Sequence, residues 1–184
     1  MKQIMLLVKS TVEEFVKNKK TPCIKNFYCI CDDIEFTGIH LTDTIFYEQN
    51  KYGLYISLYK ENKLRARSGV IFPSKKDLAQ EAVFQSIAVC SKCVQYKILE
   101  VSELKNLEYR IDLIYSPQKI LSVDNPLYDE KTDTLYIQKN YRSALILPGE
   151  CKDKKEAFYT VLKNANINKD EDAEIYCFKT DTIF

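Results

Sequence analysis

Apolar positions in the first segment, Leu7, Val8, Val12, Phe15 and Val16, recur every three to four residues and predict an amphipathic helix over residues 4–18. Lys17, Lys19 and Lys20 place positive charge where it suits the C-terminal end of a helix dipole. From Gly53 the period changes to two. Leu54, Ile56 and Leu58 alternate with Tyr55, Ser57 and Tyr59, as in a half-buried strand. Lys60-Glu61-Asn62-Lys63 supplies a polar turn, and Leu64 to Ile71 completes a hairpin. Ser74, just after Pro73, is placed to cap a helix over about 75–90 whose face is Leu78, Ala79, Ala82, Val83, Ser86, Ile87 and Cys90.

The second half repeats both periods. Tyr109, Ile111, Leu113 and Tyr115 alternate with Glu108, Arg110 and Asp112, predicting an amphipathic strand closed at Pro117. Leu135-Tyr136-Ile137 and Ala144 to Leu147 read as short strands, the second stopped by Pro148-Gly149. Asp153 and Glu156 form a capping box for a helix carrying Ala157, Phe158, Val161, Leu162 and Ala165, with Asn166 as a left-handed C-cap. Ala173 to Phe178 is a closing strand. Without a regular βαβα rhythm, these elements predict an α+β fold with a largely antiparallel sheet and about three or more helices. Residues 21–50 carry no clear period and read as an irregular segment or insertion.

The length of 184 residues, with no repeats, low-complexity tract or linker, predicts a single domain over 1–184. Twenty-seven basic against 26 acidic residues leave a net charge of +1, so no bulk attraction to nucleic acid or anionic lipid is encoded. The apolar run Ile4 to Val8 ends at Lys9, too short for a secretion signal or a membrane span. Seven cysteines, an odd number, fit reduced thiols better than a disulfide framework, and a cytoplasmic location is expected.

Chemistry-bearing residues are sparse. His40 is the only histidine, which excludes any site built on two. Cys29-x-Cys31 and Cys90-x-x-Cys93 lack the Gly or Pro turns of zinc knuckles, and the second pair falls at a helix C-terminus, where the dipole disfavours thiolate. Adjacent acids such as Glu13-Glu14, Asp32-Asp33 and Glu171-Asp172 point to different sides and read as solvated. No phosphate-cradling glycine motif is present, and no cofactor is expected. One cluster remains: Lys63, Arg65 and Arg67 recur at spacing two on the second hairpin strand, so regular alternation sends them from one face. Two of the chain's four arginines lie there, and the cluster reads either as a solvated sheet face or as a site for a small anion or acidic partner.

Four ordered stretches carry a resemblance: Gly53-Leu54-Tyr55-Ile56-Ser57-Leu58, Leu64-Arg65-Ala66-Arg67-Ser68-Gly69, Leu145-Ile146-Leu147-Pro148 and Ala173-Glu174-Ile175-Tyr176-Cys177-Phe178. In this order, from about residue 53 to 184, they resemble the AMMECR domain family, which includes the AmmeMemoRadiSam system protein A. The family signature is Leu-Arg-Gly-Cys-Ile-Gly; this chain keeps Leu64, Arg65 and Gly69 but has Ala66, Arg67 and Ser68 between them. Arg67 thus stands where the family has its cysteine. The resemblance implies a fold and a genomic context with Memo-type and radical-SAM proteins as partners, and no settled reaction. The expectation is a binding or accessory component with a cationic strand site at Lys63, Arg65 and Arg67. The alternative is an enzyme acting on a small anionic substrate in RNA or cofactor modification.

Protein purified without chelator should contain no stoichiometric zinc, because neither cysteine pair has the turn residues that aim two sulfurs at one ion. Elemental analysis checks this, and about one zinc per chain would contradict it.

Overall fold

The computed structural model describes residues 2–18, 44–49, 51–91, 97–169 and 171–184. Readings that involve His40, Cys23, Cys29, Cys31, Cys93, Asp32 and Asp33 lie outside the described residues, as does most of the 21–50 segment. The chain divides into two units, residues 1–113 with 183–184, and residues 114–182.

In the first unit, helix α1 (Lys2–Asn18) buries Ile4, Met5, Leu7, Val8, Val12 and Val16. Thr11 sits within that face and is satisfied by donating its hydroxyl to the Leu7 carbonyl at 2.7 Å. Strands β1 (Gly53–Lys60) and β2 (Lys63–Val70) pair antiparallel across a two-residue turn. Glu61 and Asn62 both take left-handed φ values, 53° and 59°, as a turn matched to the strand twist requires. Helix α2 (Leu78–Cys90) packs on this hairpin and on α1. Its cap differs from the expected one. Asp77 accepts the Gln80 N–H at 2.9 Å, so the helix begins three residues later than predicted. Ser74 lies too far upstream to cap; its N–H and that of Lys75 instead donate to the buried Glu81 carboxylate at 2.7 and 2.9 Å.

Strand β3 (Glu108–Ile120) is longer and drier than an amphipathic strand closed at Pro117. Arg110 and Asp112 are buried rather than solvated, because they pair with each other on one face, Arg110 Nε to Asp112 Oδ2 at 2.9 Å and Nη2 to Oδ1 at 2.9 Å. Pro117 is exposed and follows Ser116 at φ 51°, an irregularity that lets the strand continue.

The second unit contains the remainder of β3, the hairpin β4 (Asp133–Lys139) and β5 (Arg142–Ile146), helix α3 (Lys154–Ala165) and most of β6 (Glu174–Ile183). Its core gathers Leu135, Ile137, Ile146, Ala157, Val161, Leu162 and Cys177. Asp153 caps α3 by accepting the Glu156 N–H at 2.8 Å, while the Glu156 carboxylate takes the Lys152 N–H in place of the reciprocal bond to Asp153. Asn166 provides the left-handed C-cap at φ 54°. β6 outlasts its predicted end at Phe178 because its polar tail finds cross-strand partners: Lys179 meets Asp133 at 2.9 Å and Thr180 meets Thr134 at 2.8 Å. β1 pairs antiparallel with β2 in the first unit, β4 pairs antiparallel with β5 and with β6 in the second, and the fold is α+β with antiparallel strand pairing. Among the described residues no helix is long and apolar enough to cross a membrane.

Truncation after Asp172 should abolish soluble expression. It removes β6 with the buried Cys177 and Phe178 and the half-buried Ile175 and Tyr176. At about 1.5–3 kcal/mol for each fully buried apolar side chain, the loss approaches a domain's whole stability of about 5–15 kcal/mol. A truncated chain with the full-length melting curve would contradict this.

Candidate functional site

The cationic strand does not alternate regularly. β1 and β2 pair Leu58 with Ala66 but Tyr59 with Leu64, which leaves Arg65 as the extra residue of a β-bulge. Beyond the bulge the register is shifted by one. Arg67 therefore sits opposite Ser57 and Lys63 opposite Lys60, and those partners lie on opposite faces of β1. Lys63 and Arg67 do not share a face as the spacing predicted. Lys63 is exposed, and the Arg67 Nε–H donates to Ser57 Oγ at 2.9 Å.

Arg65 is turned toward the chain that follows α2. Its Nε and Nη2 donate to Oε1 and Oε2 of Glu103, both at 2.8 Å, in a bidentate fork. Nη1 donates to the Lys97 carbonyl and Nη2 to the Ile98 carbonyl, both at 3.2 Å. Four of the five guanidinium N–H donors are thereby engaged. Glu103 lies in a 3-10 helix, Val101–Asn106, and its Oε2 also accepts the Glu100 N–H at 3.1 Å. Lys60 Nζ approaches Glu103 Oε1 at 3.5 Å.

These groups line a hollow of about 450 Å³ formed by Lys60, Arg65, Lys97, Ile98, Glu100, Ser102 and Glu103. The Arg65–Glu103 pair is its sheltered part, with side chains 19% and 11% exposed. The Arg65 fork, helped by the Glu100 N–H and by Lys60, holds the Glu103 carboxyl down to about 2, while the same pairing raises Arg65. Both stay charged throughout the neutral range. Lys97 is exposed, and its ammonium has no partner among the described residues. Glu100 is also exposed; its carboxylate accepts the Glu103 N–H in a capping box and meets Ser102 Oγ at 3.5 Å, and it has no ion-pair partner among the described residues.

Of the three cations singled out from sequence, only Arg65 lines the hollow. Lys60, Lys97, Glu100 and Glu103 escaped that reading. In the sequence Lys60 reads as one residue of a polar turn, and residues 97–107 carry no period that announces a site. The three thiols among the described residues are poorly placed for chemistry. Cys90 is buried with its Sγ 3.0 Å from the Ser86 carbonyl, and burial pushes Cys151 and Cys177 up, away from thiolate. No group of His, Cys, Asp and Glu among the described residues could hold a metal ion.

Gly69 gives the Leu64-Arg65-x-x-x-Gly69 stretch a second fixed point. A Cβ there would lie 2.4 Å from the Tyr55 ring and 2.5 Å from the Leu54 carbonyl oxygen, so only glycine lets the two strands close. This geometry accompanies a sequence match to the AMMECR1 family over residues 6–183. The chain belongs to the AMMECR1 family. A Thermotoga maritima protein is 27% identical over 134 residues, 71% of this chain and 76% of that protein. The crystal structure of the uncharacterized protein PH0010 from Pyrococcus horikoshii superposes with a TM-score of 0.76 at 18% identity, covering 97% of this chain and 88% of that one. The second likeness concerns the fold. This AMMECR1-family chain thus retains the signature's arginine and last glycine, the two positions whose contacts tie β2 to its neighbours.

Glu103→Gln should lower stability by about 1–2 kcal/mol at pH 7, a shift of about 2–8 °C in melting temperature. Because folding depresses the Glu103 pKa, its contribution is present above about 4.5 and is lost as pH falls toward about 2. Melting curves of wild type and Glu103→Gln should therefore converge over that window. A difference that persists unchanged to pH 2 would contradict the assignment.

Proposed function

We propose that this AMMECR1-family protein is a binding component and that the hollow around Arg65 receives a small anion. The observation that carries this reading is the charge state of the lining. Glu103 is held at about 2 and already committed to Arg65, so it has no proton to give or take near pH 7. What the hollow offers a ligand is fixed charge: the exposed Lys97 ammonium, Lys60 with its one long contact, and the remaining N–H of Arg65. A cavity of about 450 Å³ suits a molecule of metabolite size. The accessory role implied by family resemblance would be exercised on Memo-type or radical-SAM proteins, with ligand occupancy as the information passed on.

A thermal-shift screen with phosphate, nucleotides and dicarboxylates tests the reading. At least one anion should stabilise the wild-type protein, and Lys97→Ala should weaken that anion about threefold to tenfold while Lys63→Ala leaves it unchanged. Loss of binding in Arg67→Ala with Lys97→Ala unaffected would move the site back to the strand face. Conversion of a bound probe into product would favour an enzyme acting on a small anionic substrate, and failure of every anion to stabilise the protein would remove the ligand reading.

A further inference from the structure

The hollow carries two charges of opposite sign that no ion pair neutralises among the described residues, although the Glu100 carboxylate also caps the 3-10 helix that follows it. Arg65 and Glu103 cancel each other in a bidentate pair, and Lys60 shares Glu103. That leaves Lys97 and Glu100, both exposed, both lining the same hollow, and neither ion-paired among the described residues. Between them in sequence stands Ile98, 51% exposed and also lining the hollow, which offers an apolar surface for methylene groups. A simple polyanion fits this lining poorly. Each added negative charge gains from Lys97 and Lys60 but is repelled by Glu100 and Glu103.

We infer that the ligand class of this hollow is the amino-carboxylates: molecules whose carboxylate is taken by Lys97 and Lys60 and whose ammonium is taken by Glu100, with the connecting methylenes against Ile98. This rests on the anion-site reading above and narrows it. Glu100 and Lys97 discriminate by sign. The acid selects against ligands that lack an ammonium group, and the lysine against free amines. Because Lys97, Ile98 and Glu100 lie on the chain that Arg65 pins through the Lys97 and Ile98 carbonyls, the two poles are held by one anchored segment.

The test is an NMR chemical-shift titration of the full chain with ω-amino acids from glycine to 6-aminohexanoate, alongside the n-alkyl carboxylates of matching length. At the best-fitting length the amino group should improve affinity about fivefold over the matching carboxylate in wild type. Glu100→Gln should abolish that advantage while leaving carboxylate binding unchanged or stronger, and Lys97→Ala should weaken both series by a similar factor. Both substitutions are at exposed side chains, and unchanged melting curves verify the fold of each variant. If carboxylates bind and depend on Lys97 but the amino group adds nothing at any length, or its advantage survives Glu100→Gln, the amino-carboxylate assignment is overturned and the anion site stands. If neither series binds, both fall together.

Discussion

The fork between Arg65 and Glu103 is the contact on which the hollow beside the β1–β2 hairpin depends. A bulge in β2 turns Arg65 away from the regular alternation of the strand, and the guanidinium then meets a carboxylate and two backbone carbonyls of the chain that follows α2. Those carbonyls belong to Lys97 and Ile98, residues that would otherwise stand at the surface with unpaired acceptors. Buried Leu99, whose N–H donates to the Cys90 carbonyl at 3.1 Å, anchors the same chain from the core side. The hollow exists because one side chain and one buried leucine hold this segment beside the hairpin.

That arrangement gives a physical account of what the chain keeps and drops from the AMMECR1 signature. Arg65 is kept where a planar, bidentate donor is needed, a task lysine cannot perform. Gly69 is kept where the Tyr55 ring and the Leu54 carbonyl leave no room for a Cβ. The three residues between them have partners of their own. Ala66 is buried in the core, Arg67 donates to Ser57, and Ser68 donates its hydroxyl to Gln85 of α2 at 2.6 Å. The position of the family's cysteine is filled by a side chain engaged with the opposite strand.

Elements with a clean period were legible in the sequence: α1, the β1–β2 hairpin, α2, α3 with both its caps, and the α+β class. What failed to show were features that depend on partners far along the chain. Arg110 and Asp112 looked solvated because alternation says which residues share a face but not that two of them will neutralise each other there. The extension of β6 past Phe178 has no local signal because Lys179 and Thr180 are stabilised by Asp133 and Thr134, some 46 residues away. The bulge at Arg65 was invisible for a related reason. Register is a property of two strands, and the spacing of Lys63, Arg65 and Arg67 within one strand could not reveal that the pairing slips by a residue between Leu58 and Tyr59. Glu103, the partner that gives Arg65 its role, lies 38 residues downstream in a short 3-10 helix with no periodic signal.

A double-mutant cycle between Arg65→Met and Glu103→Gln, read by urea unfolding, tests the account most directly. The fork is sheltered and bidentate, so the two side chains should be coupled by about 1–2 kcal/mol, with the double variant less destabilised than the sum of the singles. Strict additivity of the two single losses would contradict the claim that this pair holds the 97–103 chain against the hairpin.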